Sequence, residues 1–255
     1  MAEGSTENQR TRNNAVVALL VCIIFACVAG IVALCIMLVN ASNTLPQITT
    51  IENEESVVPS TEECNINFAA LQQENADVTA WLYAPGLGLN CAVVQTQGSE
   101  DFYQTHNAAG AKSADGAVYL DKYNQPNLSD AVTVLYGGEA GVFKALRNYE
   151  DATFFKENST FTLFQQGRML TYTVVSAFNA TDQSTLERYN WFATYEDLQN
   201  FEEDVLNPQS LGSNVAKCNL DETSKFVLLS ANPETQNLAG GHYLVCGVLT
   251  NDAAI

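Results

Sequence analysis

Apolar residues follow two different patterns along this chain. Residues 15–39 form one apolar run without a charged side chain, whereas the chain from residue 62 onward alternates short apolar runs with polar turns. A helix needs about 20 residues to cross a hydrocarbon layer of roughly 30 Å. The first pattern therefore predicts a transmembrane anchor, and the second predicts one folded domain over residues 62–255.

The flanks of the apolar run indicate how it is used. A cleavable signal peptide is the alternative, but its apolar core usually has only about 7–15 residues, so we expect a retained anchor. Arg10 and Arg12 precede the run, and the next basic residue is Lys112. Basic residues beside a span favour the cytoplasmic side. We therefore predict a cytoplasmic tail over residues 1–14 and a single-pass cell-membrane protein whose C-terminal domain is extracellular.

Beyond the anchor, the pattern predicts a stalk followed by a β-rich domain. Residues 40–61 are polar and acidic with two prolines, which is typical of an extracellular stalk. Eight strands are predicted, at 78–83, 89–95, 116–121, 131–136, 161–165, 169–178, 225–231 and 242–249. Helices are predicted at 61–75, 142–149 and 194–206, the last with a Thr194/Asp197 capping pair. Eight short strands with few helices predict a mostly β fold, a closed or nearly closed barrel.

Charge and residue content argue against several kinds of site. The chain has 29 acidic and 11 basic residues and a net charge of −18, so we expect no nucleic-acid binding. It has two histidines and no closely spaced cysteines, so we expect no metal site, and no cofactor is predicted. The sequence leaves open which cysteines beyond the anchor, if any, form a disulfide: Cys64, Cys91, Cys218 and Cys246.

One junction has the sequence of a turn that could present a catalytic side chain. Residues 133–149 read TVLYGGEAGVFKALRNY, a β-branched and aromatic run that stops at two glycines and continues as helix-like sequence. Loops at the ends of regular elements often carry catalytic or binding residues. This turn, however, offers only Gly137, Gly138 and Glu139.

Taken in order, several segments resemble the class B sortases. They are NFAALQQENADVTAWLYAPGLGLNCAVVQ (67–95), GAVYLD (116–121), TVLYGG with VFKALRNYEDATFF (133–155), FVLLSA (226–231) and HYLVCGVL (242–249). The resemblance covers roughly residues 66–249. It implies an eight-stranded barrel on the outer face of a Gram-positive-type bacterium. Members of the family cut a sorting motif near the C-terminus of a secreted protein and join it to an amine of the cell wall.

The resemblance also locates three positions where the family carries catalytic side chains. A His follows the Tyr-Gly of the junction, a Cys follows Ser-Thr at a strand end, and an Arg opens the next strand. The Cys thiolate attacks the scissile carbonyl, the His moves protons, and the Arg stabilises the developing oxyanion. Here these positions are Gly138, Asn232 and His242. All three differ from the family's pattern, so no catalytic residue is intact.

These replacements predict that the usual thioacyl chemistry is lost. An asparagine amide is not a usable nucleophile, because its nitrogen lone pair is delocalised, and glycine cannot transfer a proton. Removing the nucleophile of a comparable hydrolase lowers turnover by about 10⁶-fold. We therefore predict an inactive, sortase-like surface protein that binds sorting-signal peptides, an active sortase or a pilin-like partner.

The alternative function is an active transpeptidase or hydrolase with a rearranged site. Cys246 lies four strand residues from His242, about 13 Å away at 3.3 Å per residue, and we expect it, like Cys91, to be a core residue. The sequence identifies no base beside Ser230, and it favours a surface loop for His106. A structural or adhesive domain without a peptide groove is a third possibility. We expect the carboxylates that could pair for glycoside hydrolysis to lie on solvated faces: Glu139, Glu150 and Asp151.

Overall fold

The computed structural model describes residues 66–99, 102–138, 141–180, 185–232 and 241–255, with the backbone alone for Asn232. The predicted tail, anchor and stalk lie outside the described residues, as does Cys64. Among the described residues, no helix combines the length and the apolar character that a membrane crossing requires.

Eight strands form a closed barrel. The nine strands of the structure are β1 Val78–Ala84, β2 Leu89–Val94, β3 Val118–Leu120, β4 Val132–Gly138, β5 Thr160–Gln165, β6 Arg168–Ala180, β7 Asn214–Val215, β8 Phe226–Asn232 and β9 His242–Ala254. They are hydrogen-bonded in the order β5-β1-β2-β3-β4-β8-β9-β6-β7, and a pairing of β5 with β6 closes the ring. The predicted eight-stranded barrel is confirmed. The additional strand, β7, was not predicted, because two residues are too short to show a period.

The helices lie between the strands. They are α1 Phe68–Glu74, α2 Ala152–Glu157, α3 Thr185–Arg188 and α4 Tyr195–Leu206, with 3-10 turns at Pro85–Leu87, Phe102–Gln104, Leu146–Glu150 and Asn190–Phe192. The capping box predicted for α4 is present, since the side chains and backbone N–H groups of Thr194 and Asp197 bond reciprocally. This satisfies donors at the helix start that have no partner within the helix.

The helix predicted over 142–149 is wrong. Its residues form turns that end in a 3-10 segment, with bonds between residues three apart, such as Leu146 N to Phe143 O. The backbone of Val142 instead donates to Asp115 O at 3.0 Å. This tertiary bond holds the chain after β4 against the loop before β3, so local helical preference is overridden.

Two hydrophobic clusters cover the two faces of β8. Val227 and Leu229 point into the barrel, whereas Phe226 and Leu228 pack outside it against α4. The rings of Phe226 and of Phe201 in α4 meet edge to face, with centroids 5.3 Å apart. Strand β8 is therefore buried on both sides, which explains why residues 226–229 are all apolar.

Candidate functional site

The three positions identified by the family pattern lie together at one end of the barrel, where β4 and β8 end and β9 begins. Strands β4 and β8 run parallel and pair residue for residue, up to Gly138 beside Asn232. Strand β9 returns antiparallel to β8 and begins at His242, which also pairs with Ala180 of β6. We call Gly138, Asn232 and His242 the strand-end site.

The imidazole of His242 contacts a serine that the sequence left without a partner base. Ser230 Oγ lies 3.3 Å from His242 Nδ1, and the serine is only 1% exposed. Ser230 pairs with Leu244 of β9, two residues beyond His242, and the β8–β9 register brings the two side chains together. One hydroxyl and one imidazole therefore form a polar pair beside Asn232.

The glycines at the end of β4 differ in what surrounds them. A Cβ on Gly137 would lie 2.7 Å from side-chain atoms of Val142 and Phe143. A Cβ on Gly138 would meet nothing closer than 3.6 Å, which is ordinary van der Waals contact. The carbonyl of Gly138 accepts hydrogen bonds from the N–H groups of Gly141 and Phe143 at 3.1 and 2.9 Å. The backbone at Gly138 is thus held in place and has room for at least the first atom of a side chain.

A buried carboxylate bonds to Tyr136, which lies two residues before Gly138 on β4. Tyr136 pairs with Ser230 across β4 and β8, and its hydroxyl donates to Asp121 Oδ2 at 3.0 Å. The other oxygen of Asp121 accepts the N–H of Tyr123 at 2.9 Å. Asp121 is 8% exposed, and burial, followed by the nearby charge of Glu187, raises the pKa of its carboxyl group. This group was not predicted, although Asp121 is a charged residue at the end of the otherwise apolar predicted strand 116–121.

The three thiols in the described part of the chain are buried (Cys246) or partly buried against the hydrophobic clusters (Cys91 and Cys218). Cys246 is 0% exposed beneath α4, and burial raises the pKa of its thiol. Cys91 packs against the barrel interior, and burial raises its pKa to about 12. Burial also raises the pKa of Cys218, and these three cysteines are not in disulfides. Because the thiolate is the nucleophile, none of them is suited to attack a carbonyl.

The remaining candidates have local structural roles. His106 lies between β2 and β3, where its Nδ1 contacts Phe102 O at 2.8 Å and its ring stacks on Phe102. Glu150 pairs with Arg147 at 2.8 Å, and Asp151 accepts backbone N–H groups at the start of α2. Glu139 lies outside the described residues. The described part of the chain contains no cluster of three side chains suited to a metal ion.

The sequence and the structure were compared with those of known proteins. No protein-family model matches the chain. Sortase B of Staphylococcus aureus is 23% identical over 151 residues, which cover 58% of this chain and 61% of that relative. The crystal structure of S. aureus sortase B superposes with a TM-score of 0.63 at 20% identity, covering 72% of this chain and 86% of that one. The fold is that of the class B sortases.

Two further structures with the sortase fold agree. A class B sortase of Streptococcus pyogenes that is involved in pilus biogenesis gives a TM-score of 0.61 at 22% identity, covering 72% of this chain and 98% of that one. The substrate complex of S. aureus sortase B gives 0.64 at 19% identity, with coverages of 72% and 84%. The resemblance to the class B sortases noted in the sequence is therefore confirmed. At these identities the structural matches establish the fold.

Proposed function

We propose that this protein is a pseudo-sortase that binds sorting-signal peptides at the strand-end site without cleaving them. The observation that carries the proposal is the convergence of Gly138, Asn232 and His242 at adjoining strand ends of a sortase fold. The positions that the family uses for catalysis adjoin one another, but they hold no thiol, no guanidinium and only one imidazole.

The polar groups around these positions suit binding better than turnover. Ser230 and His242 form a hydrogen-bonding pair, and Tyr136 presents a hydroxyl that is already held by Asp121. Peptides carry a donor and an acceptor at every residue, so an extended segment can bond to the half-buried imidazole of His242, whereas Ser230 is buried and holds that imidazole in place. A related sortase B has been solved as a substrate complex, which supports a peptide as the ligand class.

The chain would act at the cell surface. The apolar run 15–39 and the basic residues before it favour a single-pass anchor with the barrel outside the cell. In that location the domain could hold a sorting peptide, an active sortase or a pilin-like protein. Protease added to intact cells should remove the barrel if this orientation is correct and leave it intact if the barrel is cytoplasmic.

The test of the main proposal measures binding and turnover on the same samples. The full-length protein is titrated with fluorogenic peptides that carry class B sorting motifs, and S. aureus sortase B serves as the active control. We expect saturable binding without cleavage. Cleavage that a thiol-alkylating reagent abolishes would overturn the inactive assignment. No binding to any peptide, active sortase or pilin-like protein would leave a structural or adhesive role.

A second function, turnover through a rearranged site, is favoured by one observation. Ser230 Oγ lies within hydrogen-bonding distance of His242 Nδ1, so the hydroxyl could attack a peptide carbonyl while the imidazole accepts its proton. The C–N bond then breaks as the imidazole protonates the leaving amine, and water or a second amine releases the acyl group from the serine. The 1% exposure of Ser230 opposes this function. Labelling by a fluorophosphonate probe that Ser230→Ala abolishes would establish it, and absence of labelling would favour binding alone.

A further inference from the structure

A cavity of about 220 Å³ lies between the adjoining ends of β6 and β9, the helices α3 and α4, and the segment 207–210 that follows α4. We call it the β6–β9 cavity. The apolar part of its lining consists of Phe178, Phe201, Val205 and Leu244. Cavities that hold whole small molecules usually have about 300–1,000 Å³. The β6–β9 cavity is smaller, and its size suits one side chain of a larger ligand.

The strand registers place this cavity beside His242. On β9, His242 and Leu244 are two residues apart and therefore face the same side of the sheet. Ala180 of β6 pairs with His242, and Phe178 pairs with Leu244. Side chains directly opposite each other on neighbouring strands have Cβ atoms about 4.5–5.5 Å apart. Because Ala180, Phe178 and Leu244 all line the cavity, its boundary is one side chain away from the imidazole.

The contact between Ser230 and His242 lies on the same side of the sheet as the cavity. Ser230 pairs with Leu244, and Leu244 and Phe178 both belong to the hydrophobic cluster outside the barrel. The ring of His242 touches Ser230 Oγ at 3.3 Å. His242 therefore has Ser230 on its β8 side and the cavity on its β6 side. A peptide bound to the imidazole would have a neighbouring side chain within reach of the cavity.

Hydrogen bonds and an ion pair hold the walls of the cavity in place. Arg188 of α3 pairs with Asp204 of α4 at 2.8 Å, and the hydroxyl of Tyr189 donates to the same carboxylate at 2.7 Å. The N–H of Asn179 donates to Ser210 Oγ at 3.0 Å, which ties the segment 207–210 to β6. The walls are thus ordered without a ligand, and a ligand that binds there loses little affinity to the ordering of protein groups.

We propose that the β6–β9 cavity takes one apolar side chain of a peptide whose backbone is bound at the strand-end site. Such a side chain would leave water for contact with Phe178, Leu244 and Val205, which favours binding. A charged side chain would lose its hydration among the same apolar groups and is therefore disfavoured. This inference rests on the proposed peptide-binding function and specifies which peptides that function prefers.

The experiment compares peptides that differ at one residue. A class B sorting-motif peptide is extended by two residues at either end, and each position in turn is occupied by Leu or by Asn. These two side chains have nearly the same shape, but only Leu is apolar. Titration calorimetry measures the affinity of every peptide for the full-length protein.

Two substitutions fill the cavity from different walls. Ala180→Leu enlarges a half-buried side chain of β6, and Thr185→Phe adds a ring from α3. The matched controls carry the same changes elsewhere, Ala253→Leu near the end of β9 and Thr153→Phe on α2. Circular dichroism and the urea unfolding midpoint establish that each variant is folded.

We expect one position at which the Leu peptide binds about tenfold more tightly than the Asn peptide, because only Leu gains from leaving water. Both cavity-filling variants should abolish this preference, whereas the controls keep it. Equal affinity of the Leu and Asn peptides at every position would overturn the inference and leave the proposed function intact. So would a Leu preference that persists in the folded cavity-filling variants. Absence of binding by every peptide, including the unextended motif, would overturn both.

A second measurement uses the protein without substitutions. Nuclear Overhauser contacts are expected between the methyl groups of the bound Leu peptide and the rings of Phe178 and Phe201, and their absence would overturn the inference. A second copy of the chain is the competing occupant of an apolar cavity. A dimer seen by sedimentation without peptide, and dispersed by Ala180→Leu, would assign the cavity to self-association and also overturn the inference.

Discussion

The packed junction after β4 contrasts with the strand-end site that it borders. At Gly137 a methyl group would collide with Val142 and Phe143, whereas at Gly138 it would make ordinary contacts. At Gly141 it would collide with the backbone of Asp115. Packing therefore demands glycine at 137 and 141 but not at 138. The backbone on both sides of position 138 is therefore constrained by packing, while position 138 itself has room for a side chain.

The largest effect is expected from introducing the His, Cys and Arg side chains that the class B sortases carry at these positions. The triple variant Gly138→His, Asn232→Cys, His242→Arg should cleave sorting-motif peptides, because the strand ends that carry the three positions are paired in register. A nucleophile is worth up to about 10⁶-fold, so even a poorly aligned restored site should exceed the parent rate by about 10²-fold. Fluorogenic peptide cleavage measures this. The control is the same variant with Ala at position 232.

The expected contrast between the fixed backbone and the missing side chains would be contradicted if the triple variant folds but does not cleave the peptides. Circular dichroism and the unfolding midpoint establish folding, and a thiol-alkylating reagent establishes that Cys at 232 is accessible. A folded, alkylatable and inactive variant would mean that the strand ends are not placed as an active site requires.

Alanine substitutions at Gly137 and Gly138 measure the difference in packing between the two positions. Gly137→Ala should lower the free energy of unfolding by about 1–3 kcal/mol, because the added methyl overpacks a filled space. Gly138→Ala should change it by less than about 0.5 kcal/mol, as for substitutions away from packed features. Urea unfolding of both variants measures the difference. Equal destabilisation would show that position 138 is as constrained as position 137.

A substitution at Thr194 tests whether helix α4, which packs on β8, depends on its N-terminal cap. Thr194→Ala removes the side chain that accepts the N–H of Asp197 at 3.2 Å, and loss of a cap costs about 1 kcal/mol. Hydrogen exchange in α4 should become faster, because its first turn frays. Thr194→Ser is the matched control and should keep most of the stability. An unchanged Thr194→Ala variant would show that packing by Phe201 alone holds the helix.

The smallest effect is expected at a surface ion pair of the scaffold. Arg168 binds Asp252 at 2.7 and 2.8 Å through two nitrogens, and this holds the pKa of Asp252 below its usual value. A lowered pKa in the folded state contributes stability above about pH 4, and this contribution is lost as the pH falls below it. Arg168→Gln should cost about 0.2–1 kcal/mol at pH 7, since the pair is partly exposed.

The difference between this variant and the parent should shrink as the pH is lowered from 7 toward 2, because protonation of Asp252 removes the ion pair. Urea unfolding at the two pH values makes the comparison. A loss at pH 2 as large as that at pH 7 would mean that Arg168 stabilises by packing rather than by charge.

Much of the barrel could be predicted because its strands are buried. Runs such as 225–231 and 242–249 carry apolar residues on both faces, and burial on both faces leaves a continuous hydrophobic signal. The start of α4 could be predicted because Thr194 and Asp197 form a local cap. By contrast, β7 has two residues and no period, and 142–149 has helical residues but is held in turns by a bond to Asp115.

The candidate site could be located only in part. The order of the segments that resemble the class B sortases identified Gly138, Asn232 and His242. The structure brings these positions to adjoining strand ends. The contact between Ser230 and His242 was not foreseen, because it depends on the register of β8 and β9. The pairing of Asp121 with Tyr136 was missed for a similar reason, since it joins the end of β3 to the neighbouring β4.

The sequence by itself determined which residues are apolar, where short-range signals start a helix, and which chemical groups are present or missing at each position. These are properties of single residues or of neighbours along the chain. Tertiary structure alone decided which glycine packing requires, which hydroxyl meets the imidazole, and which side chains enclose the cavity beside His242. Those outcomes depend on contacts between distant segments, and such contacts exist only after the sheet has closed and its registers are set.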